Sequence, residues 1–218
     1  ILGSHPATRN NAPFDDPSYD ILAFNEAVEV YHFPRWTHLM QMHRRENYTA
    51  AHNWVDDFKQ QDTHHWQWLQ TDHGEDHTIW MQSPDDRVPN CHVYPLTDIC
   101  ATVPGADLRW FTSTAAYALA LGIYLGYEVI DIYGVELSSN TEYYIQLHNW
   151  QYWVGVAKGM GIQIGLYSGQ MHFSDRLYAY EGETQIEREW FAERARLADE
   201  AWHHEEHKTK RIKNNLDQ

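Results

Sequence analysis

The side chains that could do chemistry in this chain sit at the ends of apolar runs. Glu136 stands in Tyr133-Gly134-Val135-Glu136-Leu137, directly after the run Val129–Tyr133. A carboxylate there can act as a general base or bind a metal, and an ordinary loop acid reads the same way. His43 closes an extended run, and His148 lies in an apolar stretch beside Trp150. A neutral imidazole, with a pKa near ~6.5, can take a proton from a hydroxyl at neutral pH. His203 and His207 are one helical turn apart, a spacing that can hold a metal. His204 breaks the H-E-x-x-H pattern, so a solvated face at a charged chain end is the simpler reading. His64-His65 and the His73/His77 pair carry still less information.

Three further stretches could hold an anion or a polar ligand. Gly3-Ser4-His5-Pro6-Ala7-Thr8 follows an apolar strand end; Gly3 permits close backbone approach, and the Ser4 and Thr8 hydroxyls can reach a phosphate. An ordinary βα turn has the same composition. It is not G-x-G-x-x-G, so no NAD site is expected. Asn25 ends Asp20–Phe24 with a side chain able to read a base or ribose; Asn also simply terminates strands. Thr112, Ser113 and Thr114 open an alanine-rich segment as N-cap residues, and free N–H groups at such a start favour anions.

These residues need a scaffold, and the apolar pattern supplies one. Ala115–Leu125 is apolar on nearly every face, which predicts a helix sandwiched in the core, ended by Gly126. Strands are expected at the end Ile1–Gly3, at 20–24, 36–42, 78–81, 91–94, 129–133 and 162–166. The first reads as a strand whose start lies upstream. Glu142–Lys158 carries Tyr144, Leu147, Trp150, Trp153, Val154 and Ala157 at helical spacing. Residues 44–77 read as a polar insertion with helices near Ala51–Gln61 and His64–Gln70. Thr184–His207 reads as a long charged helix before a basic tail. Alternating strands and helices predict an α/β, Rossmann-like fold: a mostly parallel sheet with helices on both faces. The expected organisation is one nucleotide-binding domain over 1–183, with that insertion, and a C-terminal helix and tail over 184–218.

The first loop, the Phe24-Asn25-Glu26 strand end, and Thr112-Ser113-Thr114 leading to Tyr133-Gly134-Val135-Glu136-Leu137 together resemble single-Rossmann family-42 sialyltransferases. They equally resemble the archaeal-type 6-hydroxymethylpterin diphosphokinase-like family, and the whole chain is similar to proteins carried by phages and prophages. Ser4-His5 replaces the usual Asn-Gly or Gly pair, and Thr114 stands where the sialyltransferases have glycine. The resemblance implies that Gly3, Ser4, His5, Asn25, Thr112, Ser113, Thr114 and Gly134 hold a nucleotide. It implies that a histidine near the start of the second helix, here His148 with His43 as second choice, deprotonates an acceptor hydroxyl. The donor would be a CMP- or UDP-linked sugar; family 42 lacks a D-x-D manganese clamp, and so does this chain. The diphosphokinase likeness implies ATP with Mg²⁺ instead, with Asp85, Asp86 or Glu136 as ligands. A third reading is a non-enzymatic nucleotide-binding or assembly protein.

The bulk numbers narrow the field. The chain has 218 residues, a net charge of −15 and 43% hydrophobic residues, so a sizeable core is expected and a nucleic-acid backbone is not. No run approaches the roughly 20 apolar residues of a membrane span. No signal-peptide pattern is visible, and Cys91 and Cys100 make no disulfide framework, so a reducing, cytoplasmic setting is expected. A small nucleotide ligand is the expected partner, with the C-terminal helix available for self-association.

Overall fold

Short β-branched and aromatic runs between polar turns become parallel strands. The computed structural model describes residues 1–43, 65–137 and 143–167, together with Ala195, Arg196, Asp199 and Trp202. Four strands, β1 (Leu22–Phe24), β2 (His38–Gln41), β3 (Thr78–Met81) and β4 (Cys91–Val93), pair in that order, all parallel. A second parallel pair joins β5 (Val129–Ile132) to β6 (Gln163–Leu166). Leu2 bridges both sets, pairing with Ala23 on one side and Tyr133 on the other. The order across the molecule is therefore β4-β3-β2-β1-Leu2-β5-β6. The chain starts in the middle, builds outward one way, then returns to build the other.

That reversal dictates where the helices go. Parallel crossovers are right-handed, so helices that follow opposite progressions along the sheet cover opposite faces. On one face lie α1 (Ala27–Tyr31) and α2 (His65–Leu69), packed with Leu2, Ala23, Leu39, Ile79 and Met81. On the other lie α3 (Leu96–Thr102), α4 (Thr114–Tyr124) and α5 (Tyr143–Gly159), packed with Leu22, Met40, Ile130 and Ile132. Neighbouring residues of one strand serve opposite faces, as the pleat requires: Leu22 and Ala23, Leu39 and Met40. The fold is α/β and Rossmann-like, with helices on both faces.

The helix α4 explains its own composition. Ala115, Ala116 and every residue from Ala118 to Ile123 are buried, because the helix lies between the sheet and α5. Its small side chains let it approach closely; a Cβ on Gly122 would already stand 3.0 Å from Ile130. Trp150 and Trp153 of α5 seal its outer side, the latter donating from its indole N–H to the Trp110 carbonyl at 2.8 Å.

Several elements are shorter than the pattern suggests. The run from Asp20 pairs as a strand only from Leu22, because Thr37 takes Ile21: the Ile21 N–H donates to the Thr37 hydroxyl at 2.8 Å. The helices α1 and α3 have no counterpart in the apolar periodicity; they form because Ala27, Val28 and Ile99 are buried by the sheet. The expected helix at 51–61 lies outside the described residues. Its neighbour appears as α2, with His65 and Leu69 buried rather than as part of a polar flap. The chain divides into two compact units, Ile1–Met171 and His172–Gln218. In the second, Ala195, Arg196, Asp199 and Trp202 are helical and exposed; the His203/His207 pair lies outside the described residues. No helix among the described residues is long and apolar enough to cross a membrane.

Candidate functional site

The carboxyl end of Leu2 and that of β5 are neighbours from which the chain leaves in opposite directions. Ligands of open α/β sheets bind at such switch points. Two loops meet there, 3–8 and 133–137, and their backbones are locked together. Gly3 N–H donates to the Tyr133 carbonyl and His5 N–H to the Gly134 carbonyl, each at 2.8 Å. Gly134 N–H donates to the Thr8 hydroxyl, also at 2.8 Å. A Cβ on Gly3 would fall 2.2 Å from the Gly134 carbonyl oxygen. Gly134 has φ +61°, and its own Cβ would fall 2.5 Å from the Gly3 oxygen. What the two glycines admit is therefore each other, and the result is a fixed distance between the side chains that flank them.

Those side chains are His5 and Glu136. Nδ1 of His5 lies 2.7 Å from Oε2 of Glu136. The Ala7 backbone N–H also points at this nitrogen, at 3.4 Å. One nitrogen cannot donate to a carboxylate and accept from an amide at once, and the short contact to the ion is the stronger. Nδ1 therefore carries the proton, and Nε2 carries the free lone pair. The glutamate side chain is 10% exposed and the histidine 41%, so the acid is the buried member and the imidazole faces out. This is the arrangement of a base held in one tautomer by a carboxylate behind it. Both residues were expected at the site, His5 as a ligand-holding loop residue and Glu136 as a base. The geometry pairs them and puts the accessible nitrogen on His5.

Asn25 sits at the carboxyl end of the adjoining strand. Its backbone is left-handed, with φ 48°, and its N–H still donates to the Met40 carbonyl at 2.8 Å. Its Oδ1 is buried and meets no donor among the described residues. A buried acceptor without a partner is costly, so a ligand N–H or O–H would be welcome there.

The remaining expected residues stand around this centre in different ways. Ser4 gives its carbonyl to Arg9, whose Nη1 donates at 2.6 Å. Ser113 is the N-cap of α4 and accepts from the Ala116 N–H at 3.2 Å. Thr114 is the first residue of that helix. Thr112 accepts from Nδ2 of Asn149, a buried α5 side chain whose polarity in an apolar helix was the overlooked signal of this link. His148, next to it, is exposed on α5. His43 follows β2, two strand spacings or about 10 Å from the Leu2 strand. It is propped from below by a buried chain: its N–H donates to Gln41 Oε1, Gln41 Nε2 donates to His65 Nε2, and His65 Nδ1 donates to Glu29. Loss of hydration on its inner side lowers the His43 pKa; Glu26 opposes this and His65 adds to it. Tyr133 leads into Gly134 with its ring stacked on Tyr167, centroids 4.5 Å apart. Burial, then Asp131, pushes its phenol up to about 12, so it stays a hydrogen-bond donor.

Among the described residues, no three His, Cys, Asp or Glu side chains converge in a group able to hold a metal ion. Of the ligands the Mg²⁺ reading would use, Asp85 is paired with Arg87 at 2.8 Å and Glu136 with His5.

A cavity of about 330 Å³, marked by no motif, lies at the opposite, amino edge, lined by Ile1, Tyr19, Asp20, His38, Gly122 and Tyr127 among others. None of the expected site residues lines it. His38, Tyr127 and Asp20 on its wall are tied together: Trp80 Nε1 donates to His38 Nδ1 at 3.3 Å, His38 Nε2 meets the Tyr127 hydroxyl at 3.4 Å, and Tyr127 donates to Asp20 at 2.6 Å. No family model matches the chain, and no curated protein or solved structure matches it.

Proposed function

We propose that this protein is a group-transfer enzyme that binds a nucleotide-type ligand in the switch-point crevice and uses His5 as general base. The observation that carries the reading is the His5–Glu136 pair at the carboxyl ends of Leu2 and β5. His5 Nε2 takes the proton of an acceptor hydroxyl. The freed oxygen attacks the donor carbon, whose bond to the nucleotide phosphate breaks, and the nucleotide leaves with that bonding pair. Glu136 holds the imidazole tautomer and stabilises the imidazolium that forms. Asn25 Oδ1 accepts a hydrogen bond from the base or ribose. The base role thus moves from His148 and His43 to His5, which has the Glu136 carboxylate behind it and lies at the switch point.

A nucleotide-activated sugar, CMP- or UDP-linked, is the donor that the three-motif resemblance favours. Diphosphate transfer from ATP with Mg²⁺ is the competing chemistry. A thermal-shift series with CMP, UDP, GDP, ADP and ATP, with and without Mg²⁺, separates them, because a ligand that binds only the folded state raises its melting temperature. A metal-independent shift with CMP or UDP supports sugar transfer. A shift only with ATP plus Mg²⁺ moves the reading to diphosphate transfer. Binding without any turnover points to a nucleotide-binding or assembly protein, and no shift at all overturns the nucleotide reading.

A further inference from the structure

A guanidinium carries five N–H donors and cannot shed its charge in a protein. The described arginines differ in how those donors are used. Arg35 gives its N–H groups to four backbone carbonyls, of Phe14, Tyr19, Pro13 and Asp16. Arg87 and Arg109 each make a two-point pair, with Asp85 and Asp107. Arg9 is different. It donates once, from Nη1 to the Ser4 carbonyl at 2.6 Å, and its guanidinium lies 4.0 Å from the centre of the Tyr31 ring. In a chain of net charge −15, an arginine that meets no carboxylate among the described residues needs a reason.

Its position supplies one. The Arg9 stem packs against Gly134: a Cβ on that glycine would stand 2.9 Å from Arg9 Cβ. Its N–H donates to the His5 carbonyl at 3.3 Å. The residue is therefore built into the same locked loop pair as His5 and Glu136, and the one carboxylate of that pair is held by His5. The Ser4 carbonyl and the Tyr31 face fix the orientation of the guanidinium and leave further N–H groups without an acceptor among the described residues. A planar fork with free donors matches the oxygens of a phosphate, two at a time.

We propose that Arg9 is the anion receptor of the crevice and holds a phosphate group of the ligand. The inference rests on the reading that ligands bind at the switch point. It adds the residue that gives this site its selectivity for phosphate esters over uncharged nucleosides. Ser4 and Tyr31 act as positioning residues for it.

The test is a calorimetric titration of the full chain with inorganic pyrophosphate, CMP and cytidine. The proteins are wild type, Arg9→Lys, Arg9→Met, His5→Gln and, as a control for loss of a surface charge, Arg109→Met. Wild type is expected to bind pyrophosphate and CMP but cytidine at least tenfold more weakly. Arg9→Met should weaken pyrophosphate and CMP at least tenfold, Arg9→Lys should fall between, and His5→Gln and Arg109→Met should stay within about twofold of wild type. A ligand-free melt of each variant verifies the fold, and Arg9→Lys keeps the test valid where Arg9→Met is unstable. Pyrophosphate and CMP binding unchanged in Arg9→Met and Arg9→Lys, or no binding by wild type, overturns the proposal. If His5→Gln abolishes anion binding and the Arg9 variants keep it, the crevice reading stands and the Arg9 inference falls. Arg9-dependent binding with no transfer activity keeps the Arg9 inference and removes the transferase reading.

Discussion

At the amino edge of the sheet, Trp80, His38, Tyr127 and Asp20 pass hydrogen bonds along a line that ends on a carboxylate, beside a cavity of about 330 Å³. At the carboxyl edge, His5 Nε2, Asn25 Oδ1 and the outer N–H groups of Arg9 have no partner among the described residues, and the loop that carries His5 is locked by facing glycines. The first edge offers volume beside a hydrogen-bonded line of side chains. The second offers unsatisfied groups on a rigid frame. A buried acceptor without a partner, such as Asn25 Oδ1, carries a cost that a ligand donor would remove.

The contrast breaks first in turnover. His5→Gln should lower kcat by about 10²–10⁴-fold with ligand affinity little changed, as loss of a general base does. A matching substitution at the amino edge, His38→Gln, should leave kcat within a few-fold; equal losses would erase the distinction between the edges. Next comes stability of the loop pair. Gly3→Ala forces a methyl group into the Gly134 carbonyl and should cost roughly 1–3 kcal/mol, with loss of ligand binding. Gly126→Ala, at φ +84° but with nothing within 4 Å, should cost only about 1–2 kcal/mol and leave binding intact. Chemical denaturation of both variants checks the pair. Smaller again is Tyr127→Phe, which removes the hydrogen bond to Asp20 and the longer contact with His38, and should cost about 1 kcal/mol with no change in ligand binding.

The pH dependence sharpens the same comparison. Burial lowers the folded-state pKa of His38, against Asp20, and likewise of His43 and His73. Below the unfolded value near ~6.5, the unfolded chain then binds more protons than the folded one, so stability rises with pH through that window. Melting temperature should therefore fall as pH drops from about 7 towards the lowered values, and His38→Gln should flatten part of that slope. A melting temperature that climbs on acidification would contradict the burial of these rings.

How far this was legible follows from which signals are local. The helix α4 announced itself through Ser113, the apolar run and Gly126, all within one segment, and its cap and burial match. The strand Thr78–Met81 matched to the residue. The helices α1 and α3 were invisible because five and seven residues carry too few turns for periodicity; the sheet beneath Ala27, Val28 and Ile99 stabilises them. At the site, Gly3, His5, Asn25, Gly134 and Glu136 could be named because strand ends mark the carboxyl edge. Their roles could not. The contact between His5 and Glu136 spans most of the domain in sequence, and only the Leu2 bridge to both Ala23 and Tyr133 brings them together. Arg9 escaped notice because an arginine is informative only once its missing carboxylate can be seen.

The most direct measurement is a histidine-selective ¹⁵N NMR titration of the full chain with CMP and, in parallel, with ATP plus Mg²⁺. The account predicts that His5 shows the Nδ1-protonated tautomer before ligand is added, and that its signals move on binding while those of His38 stay still. Movement of His38 with His5 unchanged would place the ligand in the amino-edge cavity and contradict the account.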